Sequence, residues 1–244
     1  MFPVENAVPL RYPPLVTWTL IAANCAVFLF EANLSEPELE QFLSRFALIP
    51  ARYFEPELFG GAAAADYLPF ATNMFLHGGW LHLILNMWTL WLFGRAIEDR
   101  LGPGRYLAFY LACGVLASAT HAVLNPTSTV PALGASGAIA GVLGCYMCMF
   151  PLARVIVLIP ILFFPFFFEV PAIVFAGLWF LLQVLQGTAE LFSPSVGGGV
   201  AWWAHVGGFV GGFLLTPLLR RSRRRYRIYY ADEGILGFDP RGRR

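Results

Sequence analysis

Six stretches of mostly apolar residues recur along this chain, at 14–32, 78–97, 104–123, 133–150, 171–191 and 201–219. A helix needs about 20 such residues to cross the hydrocarbon core of a bilayer. Backbone N–H and C=O groups find no water there, so each segment must close its own hydrogen bonds as a helix. The pattern therefore predicts an all-α, polytopic membrane protein with six transmembrane helices. Composition agrees: 58% of the residues are hydrophobic and 13% charged, against about 25% charged in soluble domains. A seventh apolar stretch, 155–168, contains Pro160 and Pro165 and stops short at Glu169 and Pro171. It is expected to be an interfacial loop.

Arginine sets the orientation, because cytoplasmic loops collect basic residues. Arg95, Arg100 and Arg105 lie between spans two and three, Arg154 between four and five, and Arg220 to Arg225 after span six. These ends, with Arg11, belong on the cytoplasmic side. The opposite loops carry only Arg45 and Arg52, and 124–132 and 192–200 carry no charge. The expected organisation is a cytoplasmic N-terminus over 1–13, a membrane domain over 14–219 and a basic, polar cytoplasmic tail over 220–244. No cleavable signal peptide is expected, since the N-terminus lacks a basic stretch followed by a small-residue cleavage site. The first outer loop, roughly 33–77, holds Ser35-Glu-Pro-Glu38, a capping box, followed by Leu39, Phe42, Leu43 and Phe46 at helical spacing. This reads as an amphipathic helix in the membrane interface.

Strongly polar groups inside a span are costly, about 2.5–3.5 kcal/mol for a mid-helix charge, and mark function by default. Span two carries His82 and Asn86, span four Ser136 and span six His205. These three spans run in the same direction, from outside to inside. Counting from their outer ends puts all four residues in the outer half of the membrane, so three helices converge polar groups on one layer. Glycines four apart (Gly137 and Gly141, Gly207 and Gly211, Gly208 and Gly212) let helix backbones approach closely. His205 shares a face with Gly208 and Gly212, so Ser136 and His205 can come within hydrogen-bond reach.

A serine hydroxyl attacks a carbonyl only when a neighbouring base takes its proton. His205 is the candidate base, and no span holds an aspartate, so the reading is a dyad. Asn86, His82 and the Ser136 backbone N–H are candidate donors to an oxyanion. The bland readings are a packing serine and structural histidines; His77 and His121 are read that way. Zinc held by His77, His82 and His205 is a weaker alternative, and H-E-x-x-H is absent. Cys25, Cys113, Cys145 and Cys148 fall in apolar stretches and read as small packing residues, although Cys145 and Cys148 match C-x-x-C. No metal, cofactor or nucleic acid is expected.

In combination these motifs resemble the rhomboid intramembrane serine proteases, of the bacterial six-span type, over roughly 14–219. His77-Gly-Gly-Trp-Leu-His82-Leu-Ile-Leu-Asn86 is similar to the family's H-x4-H-x3-N. Gly134-Ala-Ser136-Gly137 resembles its G-x-S-G, and Ala204-His205-Val-Gly-Gly208 with Gly212 resembles its A-H-x-x-G-x-x-x-G. The resemblance implies a serine endopeptidase that cleaves single-span or other membrane proteins in the bilayer of a bacterial inner membrane. It implies Ser136 as nucleophile, His205 as base, and His82, Asn86 and the Ser136 amide as oxyanion hole. It further implies that 192–200 caps the site and that span five contributes to lateral substrate access. Two features depart from the pattern. Ala140 stands where some members carry a tyrosine that stacks on the histidine, and the first outer loop lacks a Trp-Arg pair. A client-binding pseudoprotease and a small transporter are the alternative functions.

The arginine asymmetry yields a topology prediction. A reporter fused at residue 230 is expected on the cytoplasmic side and one at residue 60 on the opposite side. A C-terminal reporter found outside overturns the six-span reading.

Overall fold

The computed structural model describes residues 1–59, 66–161, 164–192 and 200–219. The basic tail over 220–244 and most of the 192–200 segment lie outside the described residues. The chain opens with strand β1 (Phe2–Asn6), then helices α1 (Leu15–Glu31) and α2 (Glu36–Phe46). Short helices α3 (Ala51–Phe54) and α4 (Pro69–Thr72) complete the first loop. Next come α5 (Trp80–Thr89), a π turn (Leu90–Gly94) and α6 (Arg95–Leu101), followed by α7 (Pro103–Leu124) and α8 (Ser136–Met149). Strands β2 (Arg154–Ile161) and β3 (Phe164–Pro171) lead into α9 (Ala172–Phe192), and α10 (Trp202–Leu219) ends the described fold.

The helices follow the apolar stretches closely. Three of them, Pro103–Leu124, Ala172–Glu190 and Trp202–Leu219, are each long and apolar enough to cross a membrane. Leu15–Glu31 and Ser136–Met149 are apolar but shorter. In the three long spans only 39%, 28% and 28% of the most apolar window is buried, so their outward faces are built for lipid. Helix α8 is the opposite case. Ten of its fourteen residues are buried, which is why it is apolar on every side. It is the central post of the bundle.

One expectation is corrected. The fold is not all-α: β1, β2 and β3 form an antiparallel sheet in that order. The stretch 155–168, expected as an interfacial loop, supplies most of it. Arg154 pairs with Pro171, Val157 with Phe168 and Pro160 with Pro165. Pro160 and Pro165 interrupt a helix but fit in strands where their missing N–H is not needed. The β-branched run Val155-Ile156-Val157 favours extended backbone, and Val155 and Val157 are fully buried. The sheet packs beside the π turn: Asn6 Nδ2 donates to the Leu92 carbonyl at 2.5 Å and Trp88 Nε1 to the Pro3 carbonyl at 2.8 Å.

Local anchors hold the loop between α1 and α5, and α1 itself. Glu38 accepts both the Ser35 N–H (2.9 Å) and its hydroxyl (2.6 Å), closing the start of α2 as the capping signature predicts. In place of a Trp-Arg pair, the loop is tied to the segment before α8 by backbone bonds between Leu48 and Ala132, and from Ala51 N–H to Ser128. At the other end, α1 starts at Pro14 without a side-chain cap of its own. The buried Glu98 of α6 accepts Val16 N–H, Thr17 N–H and the Thr17 hydroxyl, all within 2.8 Å. A carboxylate there satisfies orphan donors and meets the positive end of the helix dipole.

Helices α8 and α10 touch through glycine. A Cβ on Gly208 would overlap the Gly137 carbonyl, and one on Gly212 the Gly141 carbonyl. Because the obstruction is backbone, it cannot rotate away. Gly212→Val is therefore expected to destabilise the fold by about 3 kcal/mol or more, read as a lowered melting temperature in detergent. Gly177→Ala on α9, where a Cβ meets nothing within 4 Å, serves as the neutral control.

Candidate active site

Ser136 is the first residue of α8, directly after Ala135 and Gly134. Gly134 adopts φ of +122°, a conformation that favours glycine, and its N–H donates to the Asn73 carbonyl at 2.9 Å. That turn aims the Ser136 side chain across the glycine seam toward α10. His205, buried on α10, places Nε2 2.8 Å from Ser136 Oγ. The pair spans 69 positions of sequence and meets only because α8 and α10 pack closely.

His82 and Asn86 lie one turn apart on α5, as the spacing predicts. The half-buried His82 ring lies over Gly134: a Cβ built there would be 2.7 Å from His82 Cε1 and 2.8 Å from Nε2, and 3.7 Å from Ser136 Oγ. The imidazole and the serine hydroxyl thus flank the same glycine. Asn86 is buried, and its Nδ2 has no hydrogen-bond partner among the described residues. Gly137, Gly208 and Gly212 form the seam beneath the pair.

His77 packs edge-on against His82, with ring centroids 5.1 Å apart, and its backbone N–H donates to Glu31 at 3.2 Å. His121 bonds within its own turn to Asn125. It lines a cavity of about 20 Å³ with Ser118, Asn73 and Ser136. Among the described residues, no cluster of three or more His, Cys, Asp or Glu is arranged to hold a metal. Cys145 contacts Met149 through sulfur at 3.7 Å, and all four cysteines are free.

Sequence reasoning missed three residues. Gln183 on α9 is buried, and its Oε1 accepts from His205 Nδ1 at 2.7 Å. Trp179, one turn earlier, tilts over the His205 ring with centroids 5.7 Å apart, and Trp202 meets it edge-on at 6.3 Å. These groups hold the imidazole that Ala140, small and buried, cannot support. The rule that singled out Asn86, a strongly polar side chain inside an apolar span, applies equally to Gln183.

The chain thus sets a serine hydroxyl on a buried imidazole within a bundle of largely apolar helices. The rhomboid domain matches residues 64–222, and the chain belongs to the rhomboid family. It is 29% identical over 235 residues to Rhomboid protein 1, mitochondrial, of Saccharomyces cerevisiae, covering 91% of this chain and 60% of that protein. It is 35% identical over 162 residues to Rhomboid-like protease 5 of Toxoplasma gondii, covering 64% of this chain and 16% of that protein. It is 40% identical over 85 residues to Rhomboid protease GluP of Bacillus subtilis, covering 35% of this chain and 16% of that protein. The chain thus spans 60% of the yeast relative's length and 16% of each of the other two. Family and apolar helices together make it an integral membrane protein, and its kinship is with hydrolases. The relatives include both a mitochondrial and a bacterial protein, so kinship does not select between those membranes.

Gly134 offers a test of the site's framework. Gly134→Ala strains the backbone and drives a methyl into the His82 ring. It is expected to cost about 1–3 kcal/mol, measured by thermal denaturation. Gly104→Ala at the start of α7, where a Cβ meets nothing, should leave the melting temperature unchanged.

Proposed function

We propose that the chain is an intramembrane serine endopeptidase that uses Ser136 and His205 as a dyad. The observation that carries this reading is the 2.8 Å approach of His205 Nε2 to Ser136 Oγ, within a buried cluster of polar groups. His205 takes the hydroxyl proton as Oγ bonds to the scissile carbonyl carbon, and the carbonyl electron pair moves onto oxygen. The Asn86 amide, whose N–H has no partner among the described residues, receives that oxyanion with His82 and the Ser136 N–H. The position of Ser136 at a helix N-terminus adds a favourable dipole. On collapse the C–N bond breaks and His205 gives its proton to the leaving amine. Water then attacks the acyl-enzyme, losing a proton to His205, and Ser136 Oγ departs with that proton restored.

The substrates in this reading are single-span or other membrane proteins, cleaved within the bilayer. The membrane domain spans 14–219 with six crossings and both termini cytoplasmic. The pairing of β1 with β2 supports that orientation, since it puts the N-terminus beside Arg154 at one end of the bundle. A pseudoprotease that only binds membrane clients has no use for a serine held on an imidazole, and no observation favours a transporter.

The experiment is covalent labelling with a fluorophosphonate, which reports an activated serine irrespective of substrate preference, alongside cleavage of a single-span substrate in liposomes. Wild type is expected to label at Ser136, Ser136→Ala not at all and His205→Ala barely. Asn86→Ala should retain its melting temperature and lose on the order of 10²-fold in turnover. Folded wild type that neither labels at Ser136 nor cleaves overturns the proposal.

A further inference from the structure

The cluster contains a third polar group that a two-residue mechanism does not use. Gln183 lies on α9, so the imidazole is gripped from two helices: α8 supplies the hydroxyl on Nε2 and α9 an amide oxygen on Nδ1, at 2.7 Å. The amide has its own orientation imposed. Its Nε2 donates back to the Trp179 carbonyl at 3.4 Å, which leaves only Oε1 to face the ring. A carbonyl oxygen accepts and cannot donate, so Nδ1 must carry the hydrogen. Neutral imidazole has one N–H, and His205 Nε2 is therefore bare and able to accept the Ser136 proton.

We infer that Gln183 is a positioning residue for the dyad: it selects the reactive tautomer of His205 and, with Trp179, holds the ring in line with Ser136. The inference rests on the protease reading above. In serine proteases with three-residue sites a buried aspartate does this work and also stabilises the imidazolium. A glutamine supplies the orientation without the charge. Its amide dipole stabilises the imidazolium only weakly, so the site keeps its tautomer control without burying an anion in the membrane, where one is costly. Because the acceptor sits on α9, displacing that helix by an ångström or two releases the ring. Alignment of the base is thereby tied to the placement of the fifth span.

The test uses the full chain in detergent and reads the fluorophosphonate labelling rate of Ser136 against pH, with melting temperatures for each variant. The other titratable groups that face His205, His82 from α5 and His121 from α7, are common to all variants. Gln183→Leu keeps the bulk and removes the acceptor. Its plateau rate should fall on the order of tenfold, the worth of one hydrogen bond, with the melting temperature within a few degrees of wild type. Gln183→Glu restores the acceptor and adds charge. Labelling requires neutral His205, and a carboxylate favours the imidazolium, so the acid limb should move to higher pH while the plateau recovers. Wild-type rate and pH profile in Gln183→Leu overturn the inference, as does loss of rate in both variants in proportion to loss of folded protein. If Gln183→Leu does not fold, the Gln183→Glu profile decides: an unshifted acid limb overturns the inference. A wild type that fails to label at Ser136 is a different result, because it removes the dyad itself and the inference with it.

Discussion

The close approach of α8 and α10 through glycine is the constraint on which the rest of the structure depends. Lipid offers no hydrophobic drive for helices to associate, so packing and hydrogen bonds must do it. Here the carbonyls of Gly137 and Gly141 occupy the space where side chains on Gly208 and Gly212 would be. That contact sets the distance between the first residue of one helix and the fourth of the other, and so between Ser136 and His205. From α7, Ala117 presses on Gly137 and Gly208, and Cys113 on Gly141, which makes the seam the meeting point of three helices.

Around that seam the polar side chains are distributed so that no single helix carries the site. Serine comes from α8, imidazole from α10, the amide acceptor and Trp179 from α9, and His82 with Asn86 from α5. Each is buried or half-buried. Several satisfy one another, whereas the Asn86 donor has no partner among the described residues. A buried amide without a partner costs free energy. Sites that must stabilise a charge present only during reaction hold such donors ready, since reorientation then costs nothing.

The meeting of Ser136 with His205, with His82 over the neighbouring Gly134, was legible because strongly polar residues are few inside the apolar stretches. The start of α2 at Ser35 was legible because capping is local. Other features depended on partners distant in sequence. The strand at Phe2–Asn6 is extended because β2 pairs with it, and nothing within those five residues demands it. The β2–β3 hairpin was masked by its prolines, which argued against a helix without announcing strands, although Val155-Ile156-Val157 carried the signal. Gln183 carries the same signal as Asn86, a strongly polar side chain inside an apolar stretch, but only the packing of α9 on α10 shows which group it meets. The π turn over Leu90–Gly94 left no recognisable trace in the sequence.

The carboxylate of Glu98 bears on how such a chain can be assembled. The opening turn of α1 has no side-chain cap within its own segment, and the carboxylate that completes it, Glu98, lies 81 to 82 residues further on. During synthesis α1 therefore emerges with the N–H groups of Val16 and Thr17 open to water or headgroups, and they are satisfied by protein only after α5 and α6 have followed. Helix α1 is completed only together with α6. A chain interrupted before residue 98 would leave its first helix with one end unfinished, however well its apolar length suits the bilayer.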